Sequence, residues 1–149
     1  MAEALIACPF CATLNRVDPG RLDDRPKCGA CSRPMLLDRP QVASDDTLEQ
    51  ILRGTDVPVV VDFYADWCGP CRVMAPVLDD VARDRAGQVL FVKLDTDQHP
   101  AMAERYAIRG IPTLVLFSQA REAARQVGVV SRRQLEELLD SVTVAKGVP

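Results

Sequence analysis

The stretch Val59-Val60-Val61-Asp62-Phe63-Tyr64-Ala65-Asp66-Trp67-Cys68-Gly69-Pro70-Cys71 decides how this chain folds. An apolar run with one carboxylate in it, Asp62, reads as a central strand buried on both faces. A short polar turn ends the run. A helical pattern then begins, with Met74, Val77, Leu78 and Val81 at i, i+3, i+4 and i+7. Cys68 therefore falls at a helix start, where unpaired backbone N–H groups and the helix dipole favour a thiolate. Gly69 lets the backbone turn tightly, and Pro70 suits the first helical turn because its missing N–H had no partner there. Two residues between the cysteines let the sulfurs close a small disulfide and reopen it. The pattern points to dithiol–disulfide redox chemistry on a strand-to-helix junction.

Upstream of this stretch, Ser44 to Asp46 can cap a helix carrying Leu48, Ile51 and Leu52 on one face, with Gly54 at its end. Downstream, Pro76 should kink the long helix, Gly87 closes it, and Val89 to Leu94 is the next buried strand. His99 and Pro100 start a short helix with Ala103, Tyr106 and Ala107 inward, and His99 itself reads as a surface residue. Thr113 to Phe117 is a strand that Ala123 to Val127 pairs with, although the intervening Ser118-Gln119-Ala120-Arg121 lacks the glycine a tight hairpin favours. Ser131 and Gln134 make a capping box for a last helix burying Leu135, Leu138, Leu139 and Val142, and Lys146 to Pro149 read as a frayed tail. A βαβ unit followed by a hairpin predicts an α/β fold, with a mixed central sheet flanked by helices.

The first 37 residues are different. Cys8-Pro9-Phe10-Cys11 and Cys28-Gly29-Ala30-Cys31 lie sixteen residues apart. Two such pairs give four thiolates that can surround one tetrahedral zinc, Cys8, Cys11, Cys28 and Cys31. The polar, turn-rich Asn15–Arg21 between them supports no core of its own, so a structural metal would supply the missing stability. Four sulfur ligands leave no open position for chemistry, which favours a structural role; a redox-sensing one and electron exchange with Cys68 are the other readings. The expected division is a zinc-ribbon module over 1–37, a linker or edge strand over 38–43 and a second domain over 44–149.

With 149 residues, 48% hydrophobic and 26% charged, the composition is that of a globular protein. The net charge of -3 and the balanced charges of the first module argue against nucleic acid or an anionic membrane as partner. No run approaches the roughly 18 apolar residues of a membrane span. The N-terminus is too short and too little basic for a secretory signal, so the expected location is cytoplasmic. Six cysteines in such a chain favour metal binding and catalysis over a disulfide framework.

Trp67-Cys68-Gly69-Pro70-Cys71 after Val61-Asp62-Phe63-Tyr64-Ala65 resembles the active site of the thioredoxin family, and Arg109-Gly110-Ile111-Pro112-Thr113 resembles its cis-proline loop. The resemblance runs from about Ser44 to about Val144. With the zinc module ahead of it, the chain resembles the thioredoxin 2 type. That resemblance implies a protein-disulfide reductase. Cys68 would be the more exposed cysteine and the nucleophile, and Cys71 would resolve the mixed disulfide. Asp62 would be a buried aspartate assisting proton transfer at Cys71, and Lys93 its lysine partner. Trp67, Gly69, Pro70, Gly110, Ile111, Pro112 and Gly128 would form the docking surface for an extended substrate. Tyr64 stands where many members carry a second tryptophan. The resemblance also implies disulfide-containing protein substrates, re-reduction by an NADPH-dependent thioredoxin reductase, no organic cofactor and a monomer. Competing readings are a redox-regulated, chaperone-like client-binding protein and a disulfide isomerase.

Overall fold

The computed structural model describes residues 2–145; the tail expected at Lys146–Pro149 lies outside them. A hairpin comes first, β1 (Ala4–Ala7) and β2 (Leu14–Val17), followed by a broken 3-10 segment over Pro19–Asp24. Then come β3 (Gln41–Val42), α1 (Asp45–Gly54), β4 (Val59–Tyr64), α2 (Gly69–Asp84), β5 (Leu90–Asp95), α3 (Pro100–Arg105), β6 (Thr113–Ser118), β7 (Arg121–Val127) and α4 (Arg132–Ala145). The main sheet has the order β3-β5-β4-β6-β7. β4 is parallel to β5 and antiparallel to β6, which makes the sheet mixed, as the sequence predicts.

Alternation along β4 builds two cores. Val59, Val61 and Phe63 face α1 and α3, packing with Leu48, Ile51, Met102 and Phe117. Val60 faces α2 and α4 with Met74, Leu78, Val81, Leu135 and Leu139. The next residue on that second face is Asp62, so the carboxylate sits under α2. α1 begins at the expected cap: Ser44 and Thr47 exchange side-chain and backbone hydrogen bonds in a capping box. Ser131 and Gln134 form the second box.

Two expectations need correction. The segment read as turn-rich, Asn15–Arg21, begins as a strand: β2 pairs with β1 from Ala4↔Val17 to Ala7↔Leu14. Ala107 is not inward; it is exposed in the left-handed region, φ 53°, and Met102 is the buried side chain of α3. The glycine-free turn between β6 and β7 is nonetheless tight, because Gln119 (φ 54°) and Ala120 (φ 64°) both adopt the left-handed conformation. The zinc module has no core of its own, as its few apolar residues imply. Ala4, Ile6, Val17, Met35 and Leu37 join Leu48 and Ile51 in one cluster.

Backbone contacts fix that junction. The Glu3 N–H donates to Asp56 Oδ2 at 2.7 Å, the Asp56 N–H donates back to the Glu3 carbonyl at 2.7 Å, and the Leu5 N–H donates to Thr55 Oγ1 at 3.0 Å. Gly54 makes room for Leu5, since a Cβ there would stand 3.0 Å from Leu5 Cβ and the Leu5 side chain would have to give way. At Gly87 (φ +83°) a Cβ would run into the Pro19 carbonyl oxygen.

Candidate active site and metal centre

Cys68 is the N-cap residue of α2 and is disulfide-bonded to Cys71, with their Cα atoms 5.3 Å apart. The Cys71 N–H points at Cys68 Sγ at 3.2 Å, so one of the orphan donors of the helix N-terminus is already directed at that sulfur. Cys68 is not the more exposed of the pair. Both are buried, at 3% and 5% exposure, because Cys68 Sγ packs 3.8 Å from the Ile111 carbonyl oxygen. The Ile111–Pro112 bond is cis, and the Pro112 carbonyl accepts from the Gly128 N–H at 2.8 Å, bringing the 110–113 and 127–129 segments together beside the disulfide. Gly69 and Pro70 are exposed at the start of α2, and a Cβ at Gly110 would stand 3.4 Å from Val127. Trp67 is on the rim at 69% exposure, and its indole N–H donates to Asp97 Oδ2 at 2.7 Å.

Asp62 is 3% exposed, and its Oδ1 has no hydrogen-bond partner. Burial pushes its pKa up to about 7, against an opposing pull from Lys93. Lys93 is its register neighbour on β5, but the ammonium does not bond to the carboxylate. It stands 4.6 Å from the centre of the Tyr64 ring. Asp62, Lys93, Tyr64, Arg72 and Cys71 line one cleft of about 300 Å³, so the carboxylate and the inner cysteine share a wall reachable by water. The Tyr64 phenol is itself raised, first by burial and then by Asp95, Asp66 and Asp62.

In the N-terminal hairpin the four sulfurs of Cys8, Cys11, Cys28 and Cys31 all lie within 4.8 Å of one another. Two cross-pairs, Cys8 with Cys31 and Cys11 with Cys28, are 3.6 Å apart. A tetrahedron of Zn–S bonds of about 2.3 Å has edges of about 3.8 Å, so the sulfur set fits a zinc ion. The two knuckles are built alike. The Ala12 N–H bonds back to the Cys8 carbonyl and the Ser32 N–H to the Cys28 carbonyl, both at 2.9 Å, and both residues have φ 65°. Phe10 and Ala30 N–H groups each point at a sulfur, Cys8 and Cys28, at 3.4 Å. Cys28 is held down to about 6 by the Cys31 amide and the Asn15 side-chain amide. The Arg33 amide lowers Cys31, yet burial and the other three sulfurs outweigh it and raise that thiol to about 11. Four sulfurs this close need a cation before all can be thiolates.

Sequence reasoning missed Asp97, the anchor of Trp67, and Asn15, which donates to Cys28 Sγ at 3.3 Å and accepts from the Gly29 N–H at 2.9 Å. Their signal is spatial, since one lies 30 residues from Trp67 and the other 13 from Cys28.

A two-cysteine disulfide at the N-terminus of a helix, packed beside a cis-proline loop at the end of a mixed sheet, defines a thiol–disulfide oxidoreductase. Comparison with known proteins agrees. Residues 39–141 match the family model described as Thioredoxin, and residues 7–33 match the one described as Thioredoxin 2, N-terminal. Thioredoxin C-3 of Corynebacterium nephridii is 35% identical over 136 residues, 91% of this chain and 93% of that protein. The thioredoxins of Pseudomonas aeruginosa and Allochromatium vinosum are 45% and 46% identical over 98 residues each, 66% of this chain and 91% and 92% of theirs. The chain belongs to the thioredoxin family and is a protein-disulfide reductase with an N-terminal zinc ribbon. Among the described residues, no helix is long and apolar enough to cross a membrane.

Proposed function

We propose that the chain reduces disulfides of cytoplasmic proteins and is itself returned to the dithiol by an NADPH-dependent thioredoxin reductase, acting as a monomer with a structural zinc. The observation that carries this reading is Cys68 at the N-cap of α2, disulfide-bonded to Cys71 beside the Ile111–Pro112 segment.

In the reduced protein the helix N-terminus and the Cys71 N–H stabilise a Cys68 thiolate. That thiolate attacks one sulfur of the substrate disulfide and expels the other as a thiolate, leaving a mixed disulfide. Cys71 then loses its proton and attacks the Cys68 sulfur. The Cys68–Cys71 bond forms, the mixed disulfide breaks, and the second substrate thiol leaves. Two electrons have passed from the protein to the substrate. Asp62, at about 7, is poised to take the Cys71 proton near neutral pH through the solvent-accessible cleft they share, and Lys93 tunes that carboxylate through space. Trp67, Gly69, Pro70, Gly110, Ile111, Pro112 and Gly128 offer the substrate an uncharged surface around the sulfurs. Cys8, Cys11, Cys28 and Cys31 would hold zinc, which supplies a cross-link and no step of the reaction.

The test is insulin reduction driven by NADPH and thioredoxin reductase. NADPH consumption that requires this protein supports the reading. Reduction by dithiothreitol-fed protein with none by the coupled system would remove the reductase partner.

A further inference from the structure

Between the first zinc knuckle and the edge of the main sheet lies a cleft of about 440 Å³, lined by Pro9, Phe10, Ala12, Val42, Ser44 and His99 among others. None of its lining residues is Asp, Glu, Lys or Arg, and Cys8 and Cys11, which also line it, belong to the sulfur cluster. Two large apolar side chains on its walls face solvent, Phe10 at 54% and Val42 at 65% exposure. Phe10 is pre-positioned, because the Arg33 guanidinium stands 4.7 Å from its ring centre. Val42 belongs to β3, the first strand of the sheet order, which among the described residues pairs only with β5. The Ala43 N–H donates to the Lys93 carbonyl, so ladder alternation turns the N–H and C=O of Val42 to the free edge.

This cleft continues the active-site rim. Asp97 holds the Trp67 indole, and His99, two residues further along the same loop, lines the cleft. Two residues of chain span at most about 7 Å.

We propose that the cleft is an extension of the substrate site: an extended, apolar segment of the disulfide-bearing protein crosses the 96–99 loop and lies along the edge of β3. Phe10 and Val42 contact its side chains, and the Val42 backbone pairs with its main chain. The zinc ribbon thereby selects substrates, with the exchange chemistry left to Cys68 and Cys71. The proposal rests on the reading of the chain as a reductase of protein disulfides.

The test uses the zinc-loaded full chain, pre-reduced with dithiothreitol, so that no reductase partner enters. Second-order rate constants are measured for insulin and for 5,5′-dithiobis(2-nitrobenzoate), a disulfide too short to reach past Asp97. Phe10→Ser/Val42→Ser should lower the insulin constant about ten-fold, the scale expected on losing an aromatic anchor and its neighbour, and leave the small disulfide unchanged. Val42→Lys alone, outside the knuckle, should lower it in the same direction. Unchanged insulin rates, or equal losses on both substrates, overturn the proposal. So does sedimentation of the parent as a dimer and of the variant as a monomer, which would give the cleft to a second copy of the chain. A parent protein that reduces the small disulfide and not insulin would defeat the wider reading as well.

Discussion

The same four-residue pattern, Cys-x-x-Cys, occurs three times in this chain and does two different things. At Cys68/Cys71 the chain continues as a sixteen-residue helix, the two sulfurs bond to each other, and an unpartnered carboxylate lies in the adjoining cleft. At Cys8/Cys11 and Cys28/Cys31 the residue after the second cysteine turns left-handed, the chain folds back, and the close sulfur neighbours come from the opposite knuckle. The spacing permits both outcomes. The path of the chain beyond the second cysteine decides between them. An amphipathic helix aims the first sulfur at a ready-made set of N–H donors. A hairpin turn instead offers the sulfurs outward to a shared cation.

The largest effect that would separate the two kinds of pair is on rate. Cys68→Ser should lower disulfide reduction at least about 1,000-fold, the loss expected of the proposed nucleophile, while Cys71→Ser should accumulate a substrate adduct visible by mass spectrometry. Cys28→Ser should leave the rate with a small disulfide within about two-fold, because the sites share no partner. A Cys28→Ser protein as slow as Cys68→Ser would erase the distinction.

The second effect is on stability, and here the comparison reverses. Zinc content should drop from one per chain to none in Cys28→Ser. Because Ile6, Met35 and Leu37 share a cluster with Leu48 and Ile51, losing the metal should destabilise the whole chain by about 3 kcal/mol, read as a lower denaturation midpoint. Reducing the Cys68–Cys71 disulfide, which closes only a short loop, should cost less. A chelated protein with an unaltered midpoint would mean that the ribbon contributes nothing to the body it packs on.

Third, Asp62 makes the redox site a place where stability is given up. Its folded pKa of about 7 lies above the unfolded carboxylate value of about 3.9. Between the two the folded state holds more protons, so stability is fully present below about pH 4 and falls as pH rises through 7. Asp62→Ala should remove that slope and stabilise the protein by about 2 kcal/mol at pH 8, while slowing reduction above neutrality. Parallel stability–pH curves for the two proteins would mean that Asp62 is satisfied in solution.

Much of this was legible in the residues. The buried β4, the α2 stripe from Met74 to Val81 and both helix caps come from periodicity and local hydrogen bonding, which need only neighbours in sequence. The metal cluster comes from cysteine spacing. The features that stayed hidden depend on distant partners. Gly54 reads as a helix end, yet its smallness makes room for Leu5, far away in sequence. Cys68 reads as exposed because nothing local covers it, and the cover comes from Ile111. Lys93 reads as an ion-pair partner, and Tyr64 intercepts it.

The smallest effect compares two alanines in the same strained conformation. Ala12 has φ 65° in the first knuckle and Ala120 has φ 64° in the β6–β7 turn. A left-handed residue with a Cβ costs about 1–2 kcal/mol, and glycine removes that cost while adding freedom to the unfolded chain, so each Ala→Gly change should stabilise by about 0.5–1 kcal/mol. The reason each alanine is held there differs. Ala120 is fixed by the register of β6 on β7, closing at Ser118↔Arg121, whereas Ala12 is fixed by its N–H on the Cys8 carbonyl and hence by the sulfur cluster. Chelating zinc should therefore abolish the gain from Ala12→Gly, because the knuckle no longer holds that residue left-handed, and should leave the gain from Ala120→Gly intact. Chemical denaturation of the two variants with and without a chelator measures both. Equal gains in the chelated proteins would mean that the first knuckle keeps its turn without the metal, and that its hairpin contacts hold it as firmly as the sheet holds the second alanine.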